Sequence, residues 1–303
     1  MCRMWQCQRP PEGITIEEWK NFIDNLKNVF DTNMQIQFVG GEPLMRRDIF
    51  ELIEFTSGKG FSTTMTTNGY MIDRVTAKRI VDSGLTTLVL SLDSFKEETH
   101  DFLRGQKGAY RKAMEALDIL AGLKGDFPHI HVVATIMGPN IDDLEDLTEW
   151  ANREAFINSI SFQAIMQPFY TPPDDRWYKK EEFSFLWPKD VEKVKGVIRM
   201  LISLKERGYK INNPILQLRA FEKYFLNPEG FVKNRCNLGY NSLTVNSYGK
   251  VFLCLALEPI GTLKEPLYKI WHSEKAEKVR KKITTCKNNC KSLINCFFEE
   301  ENS

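Results

Sequence analysis

Apolar positions recur along this chain with two alternating periods. Residues 15–30 set Trp19, Phe22, Ile23, Leu26 and Phe30 at the three-to-four spacing of a one-sided helix, opened by the capping box of Thr15 and Glu18. Residues 34–39 then read as a strand. The exchange repeats: a helix over 46–60, a strand over 61–67, and a helix over 71–83 that Gly84 stops from the position just past its end. A strand over 87–92, a short helix with the turn Leu103-Arg104-Gly105, and a helix over 110–123 follow. A strand over 129–137, a helix capped by Asn140 and running to 155, and a strand over 159–165 complete the series. Successive strand–helix units predict an α/β fold with a parallel sheet and helices outside. The run Leu88-Val89-Leu90 predicts a strand covered on both faces.

The rhythm breaks over 166–188, which carries Phe169, Tyr170, Trp177, Tyr178, Phe183, Phe185 and Trp187 among several prolines. Two readings stand: a wall against the substrate, or a strut packing a second domain on the first. A long aromatic connection usually buries something of its own chain, which favours the strut. Residues 191–207 are a periodic helix with Val191, Val194, Ile198, Leu201 and Ile202 inward. Residues 243–252 read as strand, tight turn and strand, and residues 273–283 as a helix whose Lys278, Arg280, Lys281 and Lys282 form a solvated face.

Composition narrows the function. In 303 residues the net charge is +1, so the electrostatic footprint of nucleic-acid binding is missing. No apolar run has the length of a membrane span. The cysteines fall into two groups, Cys2 and Cys7 near the start and Cys236, Cys254, Cys286, Cys290 and Cys296 near the end. An odd, clustered set in a chain large enough to have a core points to metal or cluster ligation in a reducing, cytoplasmic setting rather than to disulfides. The strands end on polar residues: Glu42, Asn68, Ser91 with Asp93, Asn140, and Gln163 with Gln167. These are common turn residues; around one barrel mouth they would also line a ligand site. Gly40-Gly41-Glu42-Pro43 differs from an ordinary turn. Two glycines let a ligand approach bare backbone, and the proline ends the pairing.

Gly40-Gly41-Glu42-Pro43 resembles the segment of the radical S-adenosylmethionine (SAM) superfamily that holds the α-amino group of SAM. Thr66-Thr67-Asn68-Gly69 and Ser91-Leu92-Asp93-Ser94 resemble family segments that contact its ribose and carboxylate, and Arg104 is a candidate partner for that carboxylate. The resemblance therefore implies cofactor binding by Gly40, Gly41, Glu42, Pro43, Asn68, Ser91, Asp93 and Arg104. It implies a (β/α)6 partial TIM-type barrel over residues 1–165, a connector over 166–235 and a small Cys-rich α+β extension over 236–303. Cys2, with Met1 before it and Arg3-Met4-Trp5 after it, fits the third thiolate of the family's Cys-x3-Cys-x2-Cys loop for the SAM-binding 4Fe-4S cluster. The expectation is a chain that lacks the first strand and the first two cysteines of that barrel. Two free thiols in a frayed terminus are the plainer reading of Cys2 and Cys7.

Cys236-x12-Gly249-x4-Cys254 resembles the opening of the family's SPASM/twitch extension, and Cys286, Cys290 and Cys296 follow a helix as there. The spacing of these last three departs from the full pattern, and five thiols cannot hold two full clusters. One auxiliary 4Fe-4S cluster is implied, with Cys236, Cys254, Cys290 and Cys296 as ligands and Cys286 as an exchangeable fifth. Zinc is the rival, since it also takes four thiolates. Sulfatase-maturating relatives carry an Asp directly after the cysteine matching Cys254; Leu255 stands there in this chain.

The resemblance implies reductive cleavage of SAM to a 5′-deoxyadenosyl radical and hydrogen abstraction from a peptide, a protein or a small molecule. It implies an electron donor such as flavodoxin or ferredoxin; the net charge and the short apolar runs predict no nucleic-acid or membrane partner. The alternative is a non-catalytic remnant binding one cluster or zinc as a binding or electron-transfer module.

Overall fold

The computed structural model describes residues 13–30, 33–123, 128–168, 171, 174–230 and 236–286. In chain order the first part runs α1 (Ile16–Leu26), β1 (Gln35–Phe38), a 3-10 turn (Pro43–Met45), α2 (Ile49–Gly58), β2 (Ser62–Thr67), α3 (Arg74–Asp82) and β3 (Thr87–Ser91). It continues through α4 (Glu97–Arg104), α5 (Ala109–Ala121), β4 (His129–Ile136), a 3-10 turn (Gly138–Asp143), α6 (Leu144–Arg153) and β5 (Ser159–Ala164). After a short turn (Trp177–Lys179) come α7 (Glu181–Ser184), α8 (Val191–Glu206) and α9 (Ile215–Leu226). The C-terminal part holds α10 (Leu238–Asn241), β6 (Thr244–Val245), β7 (Lys250–Phe252), β8 (Gly261–Thr262), α11 (Leu267–Trp271) and α12 (Glu274–Thr284).

Strands β1 to β5 are parallel and lie in sequence order. Right-handed crossovers then put every connecting helix on one face. That face is the core: Leu88 and Leu90, Ile130, Val132, Ala134 and Ile136, and Ile160 and Phe162 pack against Ala113, Leu117, Leu147, Ala151, Ile198 and Leu201. The alternate residues point the other way. Cross-strand register aligns them in rows: Gln37, Thr64, Thr87 and His129; Thr66, Val89, His131 and Ser159; Ser91, Val133 and Ser161; Thr135 and Gln163. Apart from Val89 and Val133 these are polar, and none carries a formal charge. A closed TIM barrel fills this side with branched apolar layers; here most of the side chains stay partly exposed, forming a polar trough. Val89 thus corrects the expectation of a strand covered on both faces, because it is half-exposed on the trough.

The fold is the expected α/β parallel arrangement. A further parallel contact extends β5, where the Ile160 N–H donates to Lys210 O at 2.9 Å and Asn212 N–H to Ile160 O at 2.8 Å. The Asn213 amide continues this ladder, accepting from Phe162 N–H at 2.7 Å and donating to Phe162 O at 2.9 Å. A side chain thereby satisfies the edge of β5 that a neighbouring strand would otherwise cover.

The aromatic connector buries Trp177, Phe183 and Trp187 and sets Trp187 edge to face with Tyr224 and Phe225 of α9, both at 5.2 Å. It is a strut, but one that braces α9 and the turn after β4 rather than the cysteine-bearing part. That part has its own core, in which Val251, Leu253, Ile260, Ile270, Trp271 and Val279 share one cluster with Phe22, Ile23 and Leu26 of α1. Phe30 and Trp271 meet edge to face at 4.6 Å, and Lys264 pairs with Glu18 at 2.9 Å.

Asn140 does not cap α6. Its residue lies in the 3-10 turn before that helix, and its amide serves the ends of β3 and β4 instead. Helix α9 and strand β8 were not anticipated, although Leu218, Phe221 and Phe225 recur at helical spacing.

Two glycines test the packing. A Cβ on Gly138 would come within 2.9 Å of the Trp187 carbonyl oxygen, whereas one on Gly196, in the exposed middle of α8, meets nothing within 4 Å. Gly138→Ala should destabilise the chain by about 1–3 kcal/mol. Gly196→Ala should stabilise it by roughly 0.5–1 kcal/mol through helix propensity. Urea-unfolding midpoints of the two variants should move in opposite directions.

Candidate functional site

The chain leaves β1 through Val39, Gly40 and Gly41. Gly40 has a φ of 152°, which glycine tolerates and other residues resist. A Cβ on Gly40 or Gly41 would meet no atom within 4 Å, so both border open space. Pro43 is buried at the first position of the turn, where a missing N–H leaves no bond unmade. Glu42 caps that turn. Its Oε1 accepts from Leu44 N–H at 3.2 Å and from the Thr67 hydroxyl at 2.8 Å, and its Oε2 accepts from Asn68 N–H at 2.9 Å. An ionised carboxylate offers about four acceptor positions. Three are taken, and the remaining one, on Oε2, suits an ammonium or amine donor. Asn68 contributes its backbone N–H, while its own Oδ1 accepts from Tyr70 N–H at 2.8 Å.

A second group forms where β3 and β4 end. Asp93 is fully buried, and its Oδ1 accepts from Thr135 N–H at 2.9 Å. Its Oδ2 lies 2.8 Å from Nη2 of Arg104, which reaches in from the last turn of α4. The Asn140 amide donates to Asp93 O and to Thr135 O, the latter at 2.8 Å, while Asn140 Oδ1 accepts from Met137 N–H at 2.9 Å. The backbone N–H of Asp93 donates to Nδ1 of His100 at 3.1 Å. That nitrogen is therefore unprotonated in the fold. Burial, reinforced by the Arg104 charge, pulls the His100 pKa down to about 4. Ser94 donates to the buried Asp143, which also pairs with Lys96.

The predicted residues thus assemble as two stations on adjacent strand ends: Gly40, Gly41, Glu42 and Pro43 with Asn68, and Asp93 with Arg104. Ser91 stands half-buried on the trough below Asp93. Asp93 and Arg104 neutralise each other, and a guanidinium already paired on one side retains further donors for a carboxylate. Thr135 and His100 complete the stations and were not singled out beforehand, while Thr67 stood only within the Thr66–Gly69 segment. Each makes a hydrogen bond across a loop or strand, for which spacing in sequence carries no signal.

The cysteine segments converge on the end of α12. Arg280 donates from Nε to Gly239 O at 2.9 Å, drawing the chain after Cys236 onto the helix. Lys282 pairs with Glu258 at 2.5 Å, drawing in the loop after Cys254. Cys286 follows directly, its N–H donating to Ile283 O at 3.2 Å. Cys236 and Cys254 are half-buried against the C-terminal core, while Cys286 is exposed. An apolar wall with thiols at its edge fits a thiolate-held cluster. Cys2, Cys290 and Cys296 lie outside the described residues. Among the described residues no three His, Cys, Asp or Glu side chains group closely enough to hold a metal ion, and no helix is long and apolar enough to cross a membrane.

Comparison with known proteins gives the family and the fold. Residues 1–151 match the model of the radical SAM superfamily, and residues 236–296 match that of an iron-sulfur cluster-binding domain, SPASM. An AdoMet-dependent heme synthase of Methanosarcina barkeri is 26% identical over 92% of this chain and 79% of its own length. A PqqA peptide cyclase of Bradyrhizobium diazoefficiens is 24% identical over 97% of this chain and 73% of its own. Among solved structures, Streptococcus suis SuiB bound to S-adenosylmethionine superposes with a TM-score of 0.65 at 15% identity. The superposition covers 97% of this chain and 71% of that one. At such identity it establishes the fold, a partial TIM-type barrel.

The buried imidazole of His100 gives this region a pH dependence. In the unfolded chain a histidine takes up its proton near pH 6.5, but in the fold only near pH 4. The unfolded state therefore binds more protons throughout that window, and stability falls as pH drops from about 6.5 toward 4. His100 alone should account for roughly 2 kcal/mol between pH 7 and pH 5. Urea unfolding at the two values checks this, and His100→Gln should flatten the difference by about that amount.

Proposed function

The chain belongs to the radical SAM superfamily, and from that premise we propose that it is a peptide- or protein-modifying enzyme with one auxiliary 4Fe-4S cluster. Glu42 would accept a hydrogen bond from the α-amino group of SAM at its one open acceptor position, with Gly40 and Gly41 leaving room for the methionine moiety. Arg104, steadied by Asp93, would face the SAM carboxylate, while Asn68 and Ser91 border the ribose. Cys2 would supply one thiolate to the SAM-binding cluster. When bound, the cluster and SAM together supply a carbon-centred radical able to abstract hydrogen.

The polar trough would receive the substrate. Its rows hold hydroxyls, amides and imidazoles without a formal charge, a surface suited to the main chain or neutral side chains of a peptide. A substrate bearing several carboxylates would call for cations there, which favours a neutral peptide segment. Cys236 and Cys254, with the later cysteines, would hold the auxiliary cluster beside the core of the C-terminal part. Glu258 is no free base for the missing acid after Cys254, because the Lys282 ammonium holds its carboxyl below the usual range. Reducing equivalents would come from a flavodoxin or ferredoxin.

The observation that carries this reading is the Glu42 carboxylate, tied by three donors and open at one position beside two side-chain-free residues. Its test is anaerobic reconstitution of the protein from its open reading frame, including any codons upstream of Met1, followed by reduction in the presence of SAM. The expected product is 5′-deoxyadenosine, with about eight iron per chain if both clusters form and about four if only the auxiliary one does. Glu42→Gln should weaken SAM binding by about tenfold or more, the usual effect of losing a charge-assisted hydrogen bond. Cys254→Ala should lower the iron content by about four and leave SAM binding intact. Zinc without iron, or unchanged SAM affinity in Glu42→Gln, would refute the proposal.

A further inference from the structure

Two histidines and two serines on the trough form one hydrogen-bonded chain. Nε2 of His129 lies 2.9 Å from Ser159 Oγ, Nδ1 of His131 lies 2.7 Å from the same oxygen, and Nε2 of His131 lies 2.7 Å from Ser161 Oγ. The chain starts at the exposed first residue of β4 and climbs the inner face to Ser161, one row below Thr135 and Gln163. We propose that His129, Ser159, His131 and Ser161 are a proton relay that carries a proton from a substrate in the trough to solvent at the foot of the barrel. This rests on the reading that the trough receives the substrate.

The donor count makes the relay workable. A neutral imidazole has one N–H and one bare nitrogen, and a serine hydroxyl both donates and accepts. The three contacts can therefore all be satisfied with the donors running upward or all running downward. One sense becomes the other by passing protons along the chain. Ser161 takes a proton from an acidic X–H of the substrate and gives its own to Nε2 of His131. Nδ1–H of His131 passes to Ser159, the Ser159 proton to Nε2 of His129, and Nδ1–H of His129 to water. The electron pair stays on X, and all four groups end neutral.

The surroundings favour this. From β3, Thr87 and Val89 stand in register with His129 and His131, and from β5 the neighbours are the two serines. No carboxylate, ammonium or guanidinium occupies the inner rows of the described strands. Burial, with His129 adding to it, draws the His131 pKa down to about 4, so the ring stays neutral and reversible. Glu42 and Asp93 at the strand ends, and Glu258 in the loop after Cys254, are already held by other groups.

The test uses the full chain labelled with nitrogen-15 in histidine. Long-range proton–nitrogen spectra at neutral pH should show both rings as fast averages of their two neutral tautomers. Ser161→Ala should shift the tautomer balance of His129, which Ser161 does not touch, as well as that of His131. Ser161→Thr keeps the hydroxyl and suits a strand, and should retain the averaging; it also serves should the alanine variant fail to fold. A single fixed tautomer at His131 in the parent, or a His129 balance unmoved by Ser161→Ala, would overturn the relay. Absence of 5′-deoxyadenosine formation alongside intact averaging would instead count against the SAM chemistry alone.

Discussion

Two pairs of neighbouring strands, β1 with β2 and β3 with β4, end on a carboxylate from the earlier strand that accepts an N–H from the later one. Glu42, after β1, takes Asn68 N–H at 2.9 Å, and Asp93, after β3, takes Thr135 N–H at 2.9 Å. The ends of parallel strands leave backbone donors without ladder partners, and a buried orphan donor is costly. A carboxylate meets that need and has acceptor capacity left over. The same groups that close the sheet thereby become the polar rim of the site.

The two rims differ in how they are neutralised. Asp93 is buried and carries its own guanidinium, so the β3–β4 station is electrically self-contained. Glu42 lies half-buried beside residues without side chains and has no cation within its hydrogen-bond set. The open station is where a cationic ligand group gains most, and the closed one offers fixed donors to an anionic group. An amino acid moiety, with an amine at one end and a carboxylate beside it, matches that asymmetry.

The inner face follows from the same architecture. Helices cover one side of the sheet with Leu, Ile, Val and Ala, so its stability rests there. The other side is released from packing and can be polar. It carries hydroxyls, amides and two imidazoles in register, with the histidine–serine chain as its most ordered feature. The cysteine-bearing part leans on α1 instead of on this face. Its cysteine-bearing segments are drawn in by Arg280 and Lys282 of α12, so the basic residues of that helix do not all form a solvated face.

By itself the sequence determined the alternation of helix and strand, the parallel sheet, the Gly40–Pro43 turn and the two cysteine groups. All of these are local: periodicity, capping and turn chemistry act over a few residues, and the family motifs are short. Tertiary structure alone decided that Asp93 and Arg104 face each other, that Asn140 braces two strands instead of starting a helix, and that Val89 lies on a polar trough. It also decided that Asn213 finishes the edge of β5 and that His131 sits between two serines. Each of these depends on register between strands or on which face of an element turns inward. Those are set by the packing of segments far apart in the chain, about which neighbouring residues carry no information.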